Sequence, residues 1–200
     1  MRQLLAENIT DTSEFKRWFG KSKVVDDQGN PLMVYHGTDA SEDFVKFFPL
    51  QHFGTAEQAN YRLGGATHSS RIIPCYLRIE SPMEVGDCFH SDDSHWGDVI
   101  WEIARALKYD GNPKLTDFTS QRFYKLYNFN FKGNRKMQKI TRKLIILWLK
   151  NNGYDGFTYE NDCEGDGLSY IPFEVTQIKS AIGNCGDFDP HDPNITKENF

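Results

Sequence analysis

No apolar run in the sequence approaches the length of about 18 residues that a membrane-spanning helix needs. A transmembrane reading is therefore excluded. Paired cysteines are missing too: Cys75, Cys88, Cys163 and Cys185 stand far apart with no C-x-x-C, which argues against a zinc knuckle and a disulfide framework. Four free thiols are expected. The opening MRQLLAENITDTSEF has no basic segment followed by an apolar run and a small-residue cleavage site, so no secretory signal is expected and the expected setting is cytoplasmic. Neither G-x-G-x-x-G nor a lysine phosphate loop occurs, which leaves a Rossmann or ATPase reading without support. Acidic residues are absent from Phe118 to Lys150, where nine Lys/Arg fall. That stretch carries +9 and the rest of the chain −14, so the net charge of −5 is a poor guide to partners.

What is present suits one folded domain. Two hundred residues suffice for a single core, and 38% apolar with 14% aromatic residues place the chain far from disorder. SEFKRWFGKS predicts a short helix capped by Ser13, with Phe15, Trp18 and Phe19 on one face. KVVD and LMVYHGT predict two strands joined across DQGNP, and RIIPCYLRIE a third, which Pro74 assigns to an edge or a bulge. Trp96, Val99, Ile100, Ile103 and Leu107 share one helix face, as do Met137, Ile140, Leu144, Leu147 and Trp148 on a second helix that Gly153 should end. YDGFTYEN, LSYIPFEV and QIKSAIG read as late strands, and GDFDPHDPNITK as an irregular tail. The expectation is a single α+β domain over 1–200. It comprises an N-terminal half at 12–65, a helical, basic and aromatic insert at 94–152, and C-terminal strands with the tail at 153–196.

Three segments could carry chemistry. Tyr35-His36-Gly37-Thr38 ends a strand, where an imidazole and a bare backbone can both meet a ligand. A hydrogen-bonded turn histidine would look the same. His52-Phe53-Gly54-Thr55 precedes AEQANYRL, read as a strand followed by a Thr55-capped helix carrying Ala59 and Tyr61, with core packing as the ordinary role for Tyr61. In NDCEGDGLSYIPFEVTQIKSA the candidate carboxylates are Glu160, Glu164 and Glu174, and strand alternation turns Glu174 away from whatever Ser169 faces. His90 and His95 with Cys88 are close in sequence, but loop residues of that kind seldom bind metal, and none is expected.

Taken in order, these segments resemble the ADP-ribosyltransferase fold in its histidine-type branch, which includes diphtheria toxin and the poly(ADP-ribose) polymerases. Ala59-Asn60-Tyr61 resembles part of the polymerases' S-A-N-Y-C, and Ser169 to Ile178 resembles their E-Y-I-V-Y-D-x-x-Q-V. FKRWFGKSKVVDDQGNPLMVYHGT and YDGFTYEN…SYIPFEVTQIKSAIGNCGDFDPHDPNIT are more similar still to ADP-ribosyltransferase domains of bacterial, phage and mobile-element proteins. The resemblance covers roughly 13–65 and 150–196; the middle third matches no motif. It implies split β-sheets with flanking helices, NAD as substrate, and His36 on the adenosine ribose. The Gly37 backbone would hold the carboxamide and Tyr61 would stack on the nicotinamide, with Tyr35, Thr38, His52 and Phe53 nearby. His52 falls two residues out of step with the family's first tyrosine. Ser169 stands where the polymerases have the catalytic glutamate. Either activity is lost, or another carboxylate reaches the same ribose, with Glu164 first and Glu160 second.

The acceptor would be macromolecular. Arg122, Lys125, Lys132 and Arg135 interleave with Phe123, Tyr124, Tyr127, Phe129 and Phe131, a pattern that suits single-stranded nucleic acid and equally a basic helix with packed aromatics. RNA, DNA or protein thus remains open. A toxin or effector role with an inhibitor or antitoxin partner would follow from the resemblance. Two alternatives stand beside the transferase. One is a metal-independent ribonuclease using His36 and His52 with Lys179 on phosphate; the other is a non-catalytic NAD-binding domain.

Overall fold

A computed structural model describes residues 9–40, 45–64, 70–89, 96–127, 135–184 and 188–196, apart from the side chains of 125–127 and 135. The fold is α+β, with two small sheets and flanking helices. Two compact units make it up, Met1–Pro82 with Asp155–Phe200 and Met83–Tyr154. Strand β3 (Pro82–Glu84) lies where the chain passes from the first to the second.

The first unit begins with helix α1 (Ser13–Phe19). Its cap is Thr12, not Ser13: Thr12 has extended backbone angles and its hydroxyl accepts from the Phe15 N–H, whereas Ser13 is already helical and turns its hydroxyl to Glu14. Phe15, Trp18 and Phe19 are buried, as the helix pattern requires, against Tyr76 and Phe188. Of the two strands expected next, only β1 (Val34–Thr38) forms, and KVVD is reduced to a single bridge between Val25 and Pro31. The Asp26 carboxylate explains the reduction, because it accepts from the Gln28 and Asn30 N–H groups and closes the turn on itself.

Strand β2 (Arg71–Leu77) pairs antiparallel with β1 on one side and with β6 (Ile178–Ser180) on the other. Pro74 therefore sits in a central strand, against the expectation of an edge. Its partner Tyr35 exchanges both backbone hydrogen bonds with Gly54, so β1 asks nothing of the missing Pro74 N–H. On its other flank the Pro74 carbonyl accepts from Ala181. Alternation along β2 separates two cores. Cys75 and Leu77 join Val34, Phe53, Tyr170 and Ile178 on one face, and Tyr76 joins the α1 aromatics on the other.

Strand β4 (Gly156–Glu160) pairs with β5 (Leu168–Pro172) in register Tyr159 to Ser169. The 161–167 segment joins them. A 3₁₀ turn at Val175–Gln177 leads into β6; the Gln177 side-chain oxygen accepts from the N–H of its N-cap residue Glu174 at 2.7 Å, and Glu174 is exposed. Within the expected tail, the described residues 188–196 are anchored. Phe188 is buried on Phe15 and Trp18, and Ile195 is buried with backbone bonds to Ser180 and Val45. Cys75, Cys88 and Cys163 are not in disulfides; Cys185 lies outside the described residues.

The second unit holds helices α3 (Trp96–Tyr109), α4 (Lys114–Ser120), α5 (Arg122–Tyr127) and α6 (Arg135–Asn151). Helix α3 buries Val99, Ile100, Ile103 and Leu107, in agreement with its periodicity. Helix α6 is rotated from its expected face. Thr141, Ile145, Trp148 and Leu149 are buried, while Ile140, Leu144 and Leu147 are exposed. Trp148 fixes the rotation, since its ring packs on Phe118 at 4.9 Å and its indole N–H donates to Asp117 at 2.6 Å. Gly153, at φ 90°, ends the helix as expected.

Because Phe188 fills the α1 core, Phe188→Ala should lower unfolding stability by about 3–5 kcal/mol. Chemical denaturation of the two proteins measures this, and an unchanged midpoint would mean that the tail is dispensable.

Candidate active site

Two residues, Phe53 and Gly54, join the sheets of the first unit. Gly54 exchanges backbone hydrogen bonds with Tyr35 of β1 at 2.8 and 3.0 Å, and Phe53 does the same with Tyr170 of β5 at 2.9 and 2.7 Å. Strand alternation then sends the Phe53 ring into the core and leaves bare backbone at Gly54 on the opposite face. A Cβ at Gly54 would collide with the Gln58 amide oxygen and lie 3.1 Å from the Ser169 hydroxyl. Immediately afterwards, Thr55 caps helix α2 (Ala56–Arg62) through a complete capping box with Gln58.

The bare face floors a small, partly open cavity. Tyr35, Gly37, His52, Gly54, Arg62, Glu164 and Ser169 are among its lining residues. Glu164 comes from the 161–167 turn and Ser169 from β5, and both reach the same space. The Glu164 carboxylate accepts from Arg62 Nε at 2.7 Å and from the Asn161 amide at 2.8 Å, with its side chain 10% exposed. The same Asn161 amide donates to the Ser169 hydroxyl at 3.0 Å, which in turn donates to Gln58 at 3.2 Å. On the other wall the His52 ring meets the Tyr159 hydroxyl at 3.0 Å, and Arg62 Nη2 approaches that hydroxyl at 3.5 Å. Burial pushes the Tyr170 phenol above its usual range.

The remaining expected residues fall elsewhere. His36 does not line the cavity: its ring packs on Phe47 and Phe53, and Nδ1–H donates to the His52 carbonyl at 2.8 Å. In the neutral ring Nε2 is then the acceptor. Gly37 is a glycine because the Ala59 carbonyl of α2 occupies the place of its Cβ, so helix packing accounts for it before any ligand does. Tyr61 is 62% exposed, which removes the core role, and it lies outside the cavity one residue from Arg62. Thr38 caps Ala40 through its hydroxyl. Glu160 is exposed and does not line the cavity. Lys179 is buried with its ammonium donating to the Asp192 and Asn194 carbonyls, so the ribonuclease alternative loses its phosphate-binding group.

Composition and motif matching missed three site residues: Arg62, Asn161 and Gln58. The capping-box spacing Thr55 to Gln58 was a usable signal for the last; nothing local marks the other two. In the basic segment Arg122 is exposed, but Phe123 is buried on Phe118 at 5.4 Å and Tyr124 lies 5.7 Å from the same ring. Lys132 and the loop histidines His90 and His95 lie outside the described residues, as do the side chains of Lys125, Tyr127 and Arg135.

Tyr35 and Gly37 of β1, a bridging segment that opens a capped helix, and a carboxylate-bearing turn before a late strand enclose one cavity. A family model described as ADP-ribosyltransferase in polyvalent proteins matches residues 26–188. The chain belongs to that family. No curated protein and no solved structure matches it. As an ADP-ribosyltransferase domain it is matched across both units, including the helical residues for which no motif was legible.

Gly54→Ala should cost about 1–3 kcal/mol, because the new methyl group has no room beside Gln58 and Ser169. Thermal or denaturant unfolding reads that loss. Full stability would show that the bridge accommodates a side chain.

Proposed function

We propose that this ADP-ribosyltransferase domain is catalytically active, with NAD as substrate and Glu164 as the carboxylate that Ser169 cannot supply. The observation that carries the reading is the placement of the Glu164 carboxylate and the Ser169 hydroxyl in one cavity, linked through the single Asn161 amide. A turn carboxylate then stands beside the strand position where the resembling polymerases carry theirs.

The reaction breaks the bond between the nicotinamide nitrogen and ribose C1′, and its electron pair leaves with nicotinamide. Positive charge develops on the ribose, and a carboxylate aimed at it lowers the barrier. The acceptor's nucleophile forms the new bond at C1′, and its proton passes to solvent. The bare backbone at Gly54 and the Tyr35 side chain would meet the ring. His36, fixed through the His52 carbonyl, would present Nε2 to a ribose hydroxyl or hold His52 in place. Tyr61 would stack on a ligand that extends over α2.

His36-Gly37-Thr38 supports the histidine-type branch. The resemblance supports an effector of a phage or mobile element that acts on a macromolecule. Exposed Arg122, Lys136, Lys139 and Lys143 favour an acceptor with negative charge, nucleic acid among them.

Mass spectrometry of nicotinamide released from NAD, with RNA, DNA or protein added, tests the assignment. Glu164→Gln keeps size and deletes charge, so turnover should fall about 100-fold or more with NAD affinity little changed. His36→Ala should abolish release in a protein that still folds, and Tyr61→Ala should weaken NAD binding by about 1–2 kcal/mol. Activity in Glu164→Gln together with its loss in Glu160→Gln would move the role to Glu160. No release by the wild type with any acceptor would establish the non-catalytic alternative.

A further inference from the structure

A carboxylate on a turn is only as well placed as the turn itself. The 161–167 turn contains Gly165 and Gly167 at φ 122° and 118°, where side-chain-bearing residues are rare, so its own steric preferences do little to fix it. Within the turn, the Asn161 side chain accepts from the Cys163 and Glu164 N–H groups and the Asn161 N–H donates to the Gly167 carbonyl; a second set of bonds comes from another element. Gln58 on α2 is 2% exposed, and its Nε2 donates to the Gly165 carbonyl at 2.9 Å and to the Gly167 carbonyl at 3.0 Å. Its amide oxygen accepts from the Thr55 N–H at 2.9 Å and from the Ser169 hydroxyl at 3.2 Å. Both donors and both acceptor directions of one carboxamide are thereby used.

The cap alone does not require this residue type. A glutamate would accept from the Thr55 N–H equally well, as capping boxes commonly show. Only an amide can also donate to two carbonyls of the turn. We propose that Gln58 is a positioning residue for ADP-ribosyl transfer: its carboxamide clamps the 161–167 turn to the start of α2 and so holds Glu164 in the cavity. This inference rests on the role given to Glu164 above. Gln58 does not touch the reacting atoms in it; it acts through Glu164.

A double-mutant cycle on nicotinamide release tests the clamp. Gln58→Met keeps the shape and removes all four hydrogen bonds, so kcat should fall about 10- to 100-fold, the scale of a misplaced catalytic group, with KM for NAD changed by no more than about twofold. In a Glu164→Gln background the same substitution should lower kcat by less than about twofold, because a residue that acts through a missing carboxylate has nothing left to position. Rates are referred to the folded fraction measured by near-ultraviolet circular dichroism. Gln58→Glu keeps the Thr55 cap and serves the same cycle if Gln58→Met does not fold. Full activity in a folded Gln58→Met protein beside an inactive Glu164→Gln overturns the clamp and leaves the carboxylate assignment standing. So does a loss that adds fully to that of Glu164→Gln. Failure of both Gln58 variants to fold also overturns it, since Gln58 would then serve the fold alone. Full activity of Glu164→Gln instead removes the carboxylate assignment itself.

Discussion

The first unit depends on a backbone bridge two residues long. Phe53 and Gly54 each make a reciprocal pair of hydrogen bonds, one to β5 and one to β1. Period-two alternation makes the bridge productive, because one residue must face the core and the next the opposite side. An aromatic at 53 and a glycine at 54 satisfy both demands. The flanking residues inherit their places from it: His52 becomes a cavity wall, and Thr55 becomes the cap that starts α2. Four consecutive residues thus supply core, floor, wall and helix start.

Gln58 follows from that cap by helix geometry, since the third helical residue of a capping box points back toward the first turn. Here it also meets the glycine turn and Ser169, which makes a local motif into a tertiary joint. A serine at 169 is consistent with the joint. Its hydroxyl fits between the Gln58 and Asn161 amides, and a longer side chain would displace one or both. Small size at 169 and a carboxylate at 164 are therefore two aspects of one packing arrangement. Buried polar groups of this kind are tolerated because each has a partner, and the same satisfaction gives the turn a defined position.

The sequence made local features legible and tertiary choices obscure. Helix α1, the Thr55 cap, the α3 face and the Gly153 stop could all be read, because each depends on spacing within a single element. Pro74 misled because its tolerance is decided by which side Tyr35 turns its backbone bonds, a fact about Gly54 twenty residues away. Helix α6 misled because two apolar faces compete in its sequence, and the choice lies with Trp148 meeting Phe118 and Asp117. The tail looked irregular since it has no period, yet single residues such as Phe188 and Ile195 anchor it. Of the site, Glu164 beside Ser169 was within reach of motif comparison. Arg62 and Asn161 were not, since their meaning comes only from the partner across the cavity.

The basic segment shows how composition underdetermines recognition. Nine cations and several aromatics in one stretch satisfy the requirements for single-stranded nucleic acid, but stacking also demands an exposed π-face. Phe118 and Phe123 are buried, and Tyr124 packs on Phe118, so these three rings are already used in the core of the helical unit. Charge is different, because a cation needs only to reach the surface, and Arg122, Lys136, Lys139 and Lys143 do. A polyanion held there would be gripped through its charge rather than by its bases. Such binding weakens steeply with salt and discriminates poorly between sequences. Charge of this kind would therefore not select the acceptor atom of the proposed reaction.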